Sequence, residues 1–360
     1  EGRAFITVQP FTQKVSEGGR VTLRVKAVGI GPLSYQWRFN GVDISGATGP
    51  SLALNDVQFA SAGEYTVRVS NSSGSVTSQG ATVTVTPASV VKQWGYSGFV
   101  GDAPAGLSEV ASISAGEMHS LALKTDGAVI GWGDNAYGQL NIPAGLSGVV
   151  AVATGYHHSL ALKGDGTVVS WGDNGGGQTN VPAGLSGVIA IAAGVHHSLA
   201  LKSDGTVVGW GYDNFGQVSP RSSLSGAVAI AAGDFHSLAI KGDGTGGGWG
   251  ANGDGQAGVP GGLTNVVAIA GVSRGSMALK ADGTVVRWGF GYPPPAELNL
   301  TNAVAIAGGK SSYYHLALRS DGTVVGWGEN GLSQIDVPPG LSDVIGIAAG
   351  GYHGLALKGE

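Results

Sequence analysis

Cysteine is absent from the 360 residues, so the chain has no disulfide framework, no thiolate nucleophile and no thiolate metal site. Charge is scarce as well: Asp, Glu, Lys and Arg make up 12%, against 42% apolar residues. So much apolar matter excludes a disordered chain. No apolar run reaches the roughly 18 residues of a membrane span. A basic excess is also lacking. Residues 88–360 carry nineteen acidic and twelve basic side chains, residues 1–87 five and seven, and the formal net charge is −5. An acidic main body argues against nucleic acid as partner. No leader peptide is legible, which fits a mature form whose leader has been removed. What the chain has in abundance is glycine, 66 residues, without a G-X-Y triplet. Glycine at that density among Val, Ile and Thr reads as many short strands and tight turns.

Tryptophan supplies the organisation. Trp94, Trp132, Trp171, Trp210, Trp249, Trp288 and Trp327 follow one another at 38 and then five times 39 residues. A period of that length means a solenoid, an array or a propeller. One copy, VIAIAAGVHHSLALKSDGTVVGWGYDNFGQVSP (188–220), resolves into strands. Val188–Ala193 is apolar enough for a buried inner strand and His197–Lys202 forms a second. Asp204-Gly205 is a two-residue hairpin signal, because a type I′ turn needs positive φ at both central positions. Thr206–Trp210 is a third strand, and Gly216-Gln217 onward reads as a short outer strand ended by Pro220. The Asp-Gly pair recurs at 126–127, 165–166, 243–244, 282–283 and 321–322. Four antiparallel strands per repeat make the blade of a β-propeller. The ends complement each other. Val90–Trp94 is a third strand lacking a first and second, and Gly354–Lys358 a second strand lacking a third. Their pairing would close a seven-bladed ring and remove the exposed sheet edges.

The pattern G-x-x-H-S-L-A-L-K-x-D-G-T-V-x-x-W-G-x-N-x-x-G-Q, nearly complete at 155–178 and clear at 116–139, resembles the regulator of chromosome condensation repeats. The resemblance spans about three quarters of the chain and implies protein binding through propeller faces. The namesake exchanges nucleotide on a small GTPase and touches chromatin with a basic arm, and this chain has no such arm. Some copies depart. Gly246-Gly247-Gly248 replaces the apolar third strand, which predicts a softer blade. Gly275 and Tyr314 stand where the recurrent His is expected, and Pro293-Pro294-Pro295 removes a Gly-Gln pair.

Residues 1–87 read as a separate domain. Ile6–Val8, Val21–Val28, Tyr35–Phe39, Leu52–Leu54, Glu64–Val69 and Ala81–Val85 alternate as sandwich strands. Gly63-Glu64-Tyr65-Thr66-Val67 resembles the tyrosine corner of an immunoglobulin-like sandwich. The resemblance places the two disulfide positions at Val25 and Val67, so apolar packing around Trp37 must replace the bridge. Thr86-Pro87-Ala88-Ser89 reads as a short linker. The expected architecture is therefore all-β: an N-terminal immunoglobulin-like β-sandwich (1–87) followed by a closed seven-bladed β-propeller (88–360).

No catalytic constellation is legible. His119, His158, His197, His236 and His353 recur one per blade, too far apart for a single metal sphere, and are expected to hydrogen-bond backbone of their own or the next blade. The Asp of each Asp-Gly pair is explained by its turn rather than by calcium. No cofactor or metal is expected. The aromatic residues carry the functional signal. All eight Tyr and four Phe of the array fall in two of the four strand junctions, first-to-second and third-to-fourth, which an up-and-down blade presents on one face. Repeat register puts Met118, His157, His196, Phe235, Arg274, Tyr313 and Tyr352 at one loop position, and Tyr137, Tyr156, Phe215 and Tyr292 join them as candidate partner-binding residues. A position that varies between invariant neighbours suits an asymmetric partner.

The expected function is a non-enzymatic, secreted or cell-surface binding or scaffold module, bacterial in character, acting on a protein partner through this face. Self-assembly into an extracellular filament or surface layer is a second reading, since head-to-tail contacts do not close. A third is an enzyme inhibitor or glycan binder. Secreted proteinaceous inhibitors of β-lactamase are similar in repeat type, and sugars stack on aromatic rings.

Overall fold

The computed structural model describes residues 2–86, 90–98, 100–220, 224–291, 293 and 300–359. The strands alternate and no helix longer than one 3-10 turn, Phe59–Ser61, occurs among the described residues. In the N-terminal domain the strands are β1 (Phe5–Val8), β2 (Gln13–Ser16), β3 (Val21–Arg24), β4 (Lys26–Val28), β5 (Ser34–Phe39), β6 (Val42–Asp43), β7 (Ser51–Leu54), β8 (Gly63–Asn71), β9 (Gly74–Thr77) and β10 (Ala81–Thr86). One sheet runs β2-β10-β8-β5-β6 with β9 on β8, and it faces the pairs β1-β4 and β3-β7. The sheets bury one face each, so their strands alternate inward and outward residues. Trp37, Val25, Val67 and Tyr65 meet in one core, as the sandwich reading requires. The Tyr65 hydroxyl donates to the Ser61 carbonyl at 3.0 Å, and the Trp37 indole donates to the Gly49 carbonyl at 3.0 Å. The expected single strand Val21–Val28 is broken at Val25, whose amide bonds to Pro50 instead. The break lets Val21–Arg24 pair with β7 and Lys26–Val28 with β1, so one sequence run serves two pairings.

The array is built of seven three-stranded antiparallel sheets. The first comprises Val110–Ala115, His119–Lys124 and Val129–Gly133. The second to sixth repeat it, and the seventh comprises Val344–Ala349, His353–Lys358 and, from the start of the array, Val90–Gly95. Val90 faces Lys358 and Gly95 faces His353 across that last ladder. The middle strand is buried over five of its six residues in every sheet, because sheets flank it on both sides. A small-Leu-Ala-Leu sequence suits that position. Leucine fills the interval between sheets and alanine lets them approach.

The expected fourth strand is a turn instead. In the second sheet the chain after Gly172 runs through 173–181 without ladder bonds. The Asn174 side-chain carbonyl accepts from Thr179 N at 3.1 Å, and the Gln178 side-chain carbonyl accepts from Gly176 N at 2.8 Å. Side-chain caps thus saturate the backbone groups that a ladder would use. The same Gln capping recurs at Gln139, Gln217, Gln256 and Gln334. Gly246–Gly250 keeps full ladder pairing despite its glycines. A Cβ at Gly248 would lie 2.4 Å from the Ala257 carbonyl, so the missing side chain lets the outer turn lie directly on the strand. Linker residues 87–89, Phe99, and Pro294 and Pro295 lie outside the described residues.

The sandwich rests on the hairpin ends of the array. Strand β2 touches the inner strands Val110–Ala115 and Val344–Ala349. On the far side, the Arg24 guanidinium donates to the carbonyls of Val267 at 2.7 Å and Val228 at 3.1 Å. Burial lowers the pKa of Arg24 to about 10, which leaves it charged at neutral pH.

Candidate loop face of the array

The recurrent histidines pair with the neighbouring sheet through a side chain rather than through its backbone as expected. His158 Nε2 lies 3.0 Å from Ser198 Oγ, and His197 Nε2 lies 3.0 Å from Ser237 Oγ. Equivalent contacts join His119 to Ser159, His236 to Ser276 and His353 to Ser120. Four of the five serines, Ser159, Ser198, Ser237 and Ser276, donate to the backbone carbonyl of a Gln in the preceding outer turn, as Ser198 does to Gln178 at 2.9 Å, and the Trp210 indole donates to that same carbonyl at 2.9 Å. The repeated His, Ser, Trp and Gln therefore form one buried joint between neighbours. Burial lowers the pKa to about 3 for His119, His197 and His353 and to about 4 for His236, so these rings are neutral. A neutral, fully buried ring with its Nε2 committed to serine has no free route to a substrate.

The departures from the repeat compensate each other across this joint. Where Gly275 lacks the imidazole, the serine position of the next sheet holds His315, which accepts from Arg287 Nε at 2.7 Å and stacks on Trp327 at 5.0 Å. Where Tyr314 replaces His, the next serine is Gly354, and the tyrosine hydroxyl donates to the His353 carbonyl. Tyr314 is thus a core residue, 0% exposed, and not a member of the loop face.

The loop face itself is assembled by one recurring bond. The residue after each third strand donates its amide to the carbonyl just before the second strand. The acceptors are Met118, His157, His196, Phe235, Arg274, Tyr313 and Tyr352, one per sheet. The seven candidates named from repeat register are therefore equivalent in space. From Tyr137 the rings run on in contact. Tyr137 stacks on His157 at 4.1 Å, Tyr156 meets His157 at 4.3 Å, and Tyr156 lies 6.1 Å from His196. His196 then lies 6.5 Å from Phe235, and Phe235 5.6 Å from Phe215. Tyr137 and Phe215, at the two ends of this strip, are each 53% exposed. A second cluster joins Phe290 to Tyr313 at 5.1 Å, with the Arg274 guanidinium 5.4 Å above the Phe290 ring and 2.6 Å from Asp254. Tyr292 lies outside the described residues.

Three charged residues at the axis escaped the sequence reading. Glu117, Asp234 and Lys310 each occur in a single copy of the first-to-second loop, so no repeat pattern marks them. The Tyr352 hydroxyl lies 3.4 Å from Glu117 Oε1, and His157 Nε2 lies 3.3 Å from Glu117 Oε2. Asp234 accepts from Ser273 Oγ at 2.7 Å and from Ser311 N at 3.1 Å. Lys310 reaches across to the Ala193 carbonyl, three sheets away. Its pKa is lowered to about 8 by burial, against the attraction of Asp234. Below these loops lies an axial cavity of about 230 Å³, lined by the inner strands of all seven sheets. Among the described residues no group of three His, Asp or Glu is placed to hold a metal ion.

Equivalent sheets joined neighbour to neighbour around an axial cavity define a β-propeller of repeat type, here behind a sandwich domain. The chain carries regulator of chromosome condensation (RCC1) repeats, matched at 110–139, 149–178 and 188–217, and an immunoglobulin domain, matched at 5–71. Its fold is similar to yeast RCC1 (Prp20) in complex with Kap60, with a TM-score of 0.62 at 19% identity over 76% of this chain and 89% of that one. Prp20p from Saccharomyces cerevisiae, described with its binding to Gsp1p and histones, gives 0.62 at 20% identity over 76% and 92%. The ectodomain of the receptor kinase CR4 from Physcomitrella patens gives 0.56 at 21% identity over 68% and 69%. No curated protein sequence matches the chain. Identities this low establish the fold alone.

Proposed function

We propose that the seven sheets form a closed ring and that the chain is a secreted or surface module which binds a protein partner through the loop face, without catalysis. Closure draws support from the ladder between Val90–Gly95 and His353–Lys358 and from the bond between Ser120 and His353 at 2.7 Å. The observation that carries the binding reading is the unbroken strip of rings from Tyr137 to Phe215. It joins four neighbouring sheets on one side of a rigid scaffold, and its two ends are half exposed. Exposed aromatics grouped in a patch are the usual anchors of interfaces. Yeast RCC1 (Prp20), similar in fold, binds Kap60, and Prp20p is described with its binding to Gsp1p and histones, which supports a protein partner. The opposite, hairpin side is partly covered by the sandwich, which leaves the loop face as the larger free surface.

A displayed random-peptide library tests the reading. Selection is made on the whole chain, with counter-selection on the variant carrying Tyr137→Ala, Phe215→Ala and Phe235→Ala. The expected result is enriched peptides that bind the parent and not the variant. Peptides that bind both equally would place the interaction elsewhere and overturn the reading.

A further inference from the structure

Charge is unevenly divided between the two sides of the array. Among the described residues the hairpin side carries seven cations, Lys124 to Lys358 at one per repeat with Arg319 among them, against eight carboxylates, so it is close to neutral. Among the described residues the loop side and its outer turns carry nine carboxylates, Asp102 and Asp336 included, against only Arg274, Arg287 and Lys310. All three cations are engaged by the chain itself. Arg274 pairs with Asp254, Arg287 holds His315 and the Phe290 carbonyl, and Lys310 holds the Ala193 carbonyl. Asp134 and Asp173 stand at equivalent positions, beside the strip that begins at Tyr137. Each accepts from its turn glutamine, a neutral donor, at 2.7 Å. Asp213 flanks the other end beside Phe215 and is exposed.

The molecule contains its own example of what such a surface binds. Arg274 lies over the Phe290 ring at 5.4 Å with its guanidinium 2.6 Å from Asp254, so a ring and a carboxylate together cradle one cation. The strip across the first four sheets offers the same pair of groups with no lysine or arginine of its own; His196 Nδ1 lies 3.9 Å from Asp173, and burial lowers the pKa of that imidazole. Residues equivalent to Arg274 there are Met118, His157, His196 and Phe235. From this, and resting on the binding reading above, we infer that the partner presents an arginine-rich segment to the strip. Its guanidinium groups stack on Tyr137, Phe215 and Phe235 and pair with Asp134, Asp173 and Asp213. Arginine suits the site better than lysine because its planar, weakly hydrated head stacks on rings while its N–H fork meets a carboxylate.

A fluorescein-labelled peptide with four arginines spaced by glycine tests this against the intact chain by anisotropy, alongside the lysine, glutamine and glutamate versions. The expected order is arginine above lysine, with no binding of the other two, and weakening at high salt. Tyr137→Ala with Phe215→Ala should weaken arginine-peptide binding roughly tenfold, the effect of two modest cation–π contacts. Asp173→Asn, which keeps the acceptor of its turn, should weaken it too. Asp165→Asn with Asp204→Asn, on the hairpin side, should leave it unchanged. Binding lost through the hairpin-side pair, equal binding of the glutamine peptide, or no binding of the arginine peptide would each overturn the inference. The peptide library separates this failure from that of the binding reading. Enriched sequences that need the strip but contain no arginine would leave the loop face as the binding surface and remove only its cationic partner. Strip-dependent self-association in sedimentation, without peptide, would likewise assign the face to a second copy and overturn the inference.

Discussion

Acid should unfold this array well before its carboxylates titrate. The perturbation is a fall in pH through the ordinary histidine range. His119, His158, His197, His236, His315 and His353 are all held below the usual histidine pKa of 6.5, chiefly by burial. The unfolded chain takes up protons on these rings below pH 6.5, while the folded chain does not until about pH 3 to 4 for five of them. The unfolded state therefore binds more protons in that window, and folding stability falls as pH falls. It is fully present above pH 6.5. One pH unit below the unfolded value, each ring costs about 1.4 kcal/mol. Together the six cost roughly 8 kcal/mol at that point, comparable to the whole stability of a typical domain. The assay is urea unfolding followed by tryptophan fluorescence from pH 8 to pH 4.5, since seven of the eight tryptophans sit in the array. The expected curve is flat above neutrality and then falls with a slope approaching six protons. His197→Ala should reduce that slope by one proton. Ser237→Ala should lower stability by about 1–3 kcal/mol through an unpaired buried imidazole nitrogen while leaving the slope intact. A stability that stays level from pH 7.5 to 5 would refute the reasoning.

Other outcomes follow from the same packing. Gly275→His alone should overpack the joint between the fifth and sixth sheets by about 1–3 kcal/mol. Combined with His315→Ser it restores the pairing used by the other sheets, so a double-mutant cycle in urea should show strong positive coupling, and additive effects would contradict the compensation. Deletion of residues 88–96 removes the third strand of the last sheet, and thermal melting of the remaining array should become broader and lower; an unchanged melt would mean that this ladder holds nothing together. Trp37→Ala empties the centre of the sandwich and should cost about 3–5 kcal/mol in its unfolding transition; a loss below 1 kcal/mol would show that Trp37 is not the keystone that replaces the disulfide.

Much of the fold was legible because repetition amplifies weak signals. One Asp-Gly pair is an ambiguous turn, but six at a constant spacing mark a hairpin in six of the seven sheets, and the tryptophan interval sets the length of the unit. The terminal half-sheets were readable for the same reason, since a repeat that starts with its third strand has only one edge to pair with. Repeat register also placed Met118, His157, His196, Phe235, Arg274, Tyr313 and Tyr352 at equivalent points, because each carbonyl accepts the same backbone bond.

Where a side chain competes with the backbone, the sequence pattern misled. The Gly-Gln segments look like a strand ended by proline, yet Asn and Gln side chains saturate their amides and turn them into caps. Tyr314 reads as one more loop aromatic, yet it is buried with its hydroxyl on the His353 carbonyl, and Gly309, where a Cβ would lie 2.6 Å from its ring, makes the room. Glu117, Asp234 and Lys310 occur once each, so periodicity cannot single them out, and their meeting at the axis depends on loops drawn from sheets far apart in the chain. The sequence by itself determined three strands of each repeat, though not that the fourth is a turn, the order of the domains and the residues at each loop position. Those follow from local hydrogen bonding and from the alternation of buried and exposed residues, which act over a few residues. Only the tertiary structure decided which rings touch, which imidazoles lose their charge, and which side of the array keeps its negative charge unpaired. Most of these depend on distance and burial between residues that the chain separates by about 20 to 40 positions, and no local pattern records them.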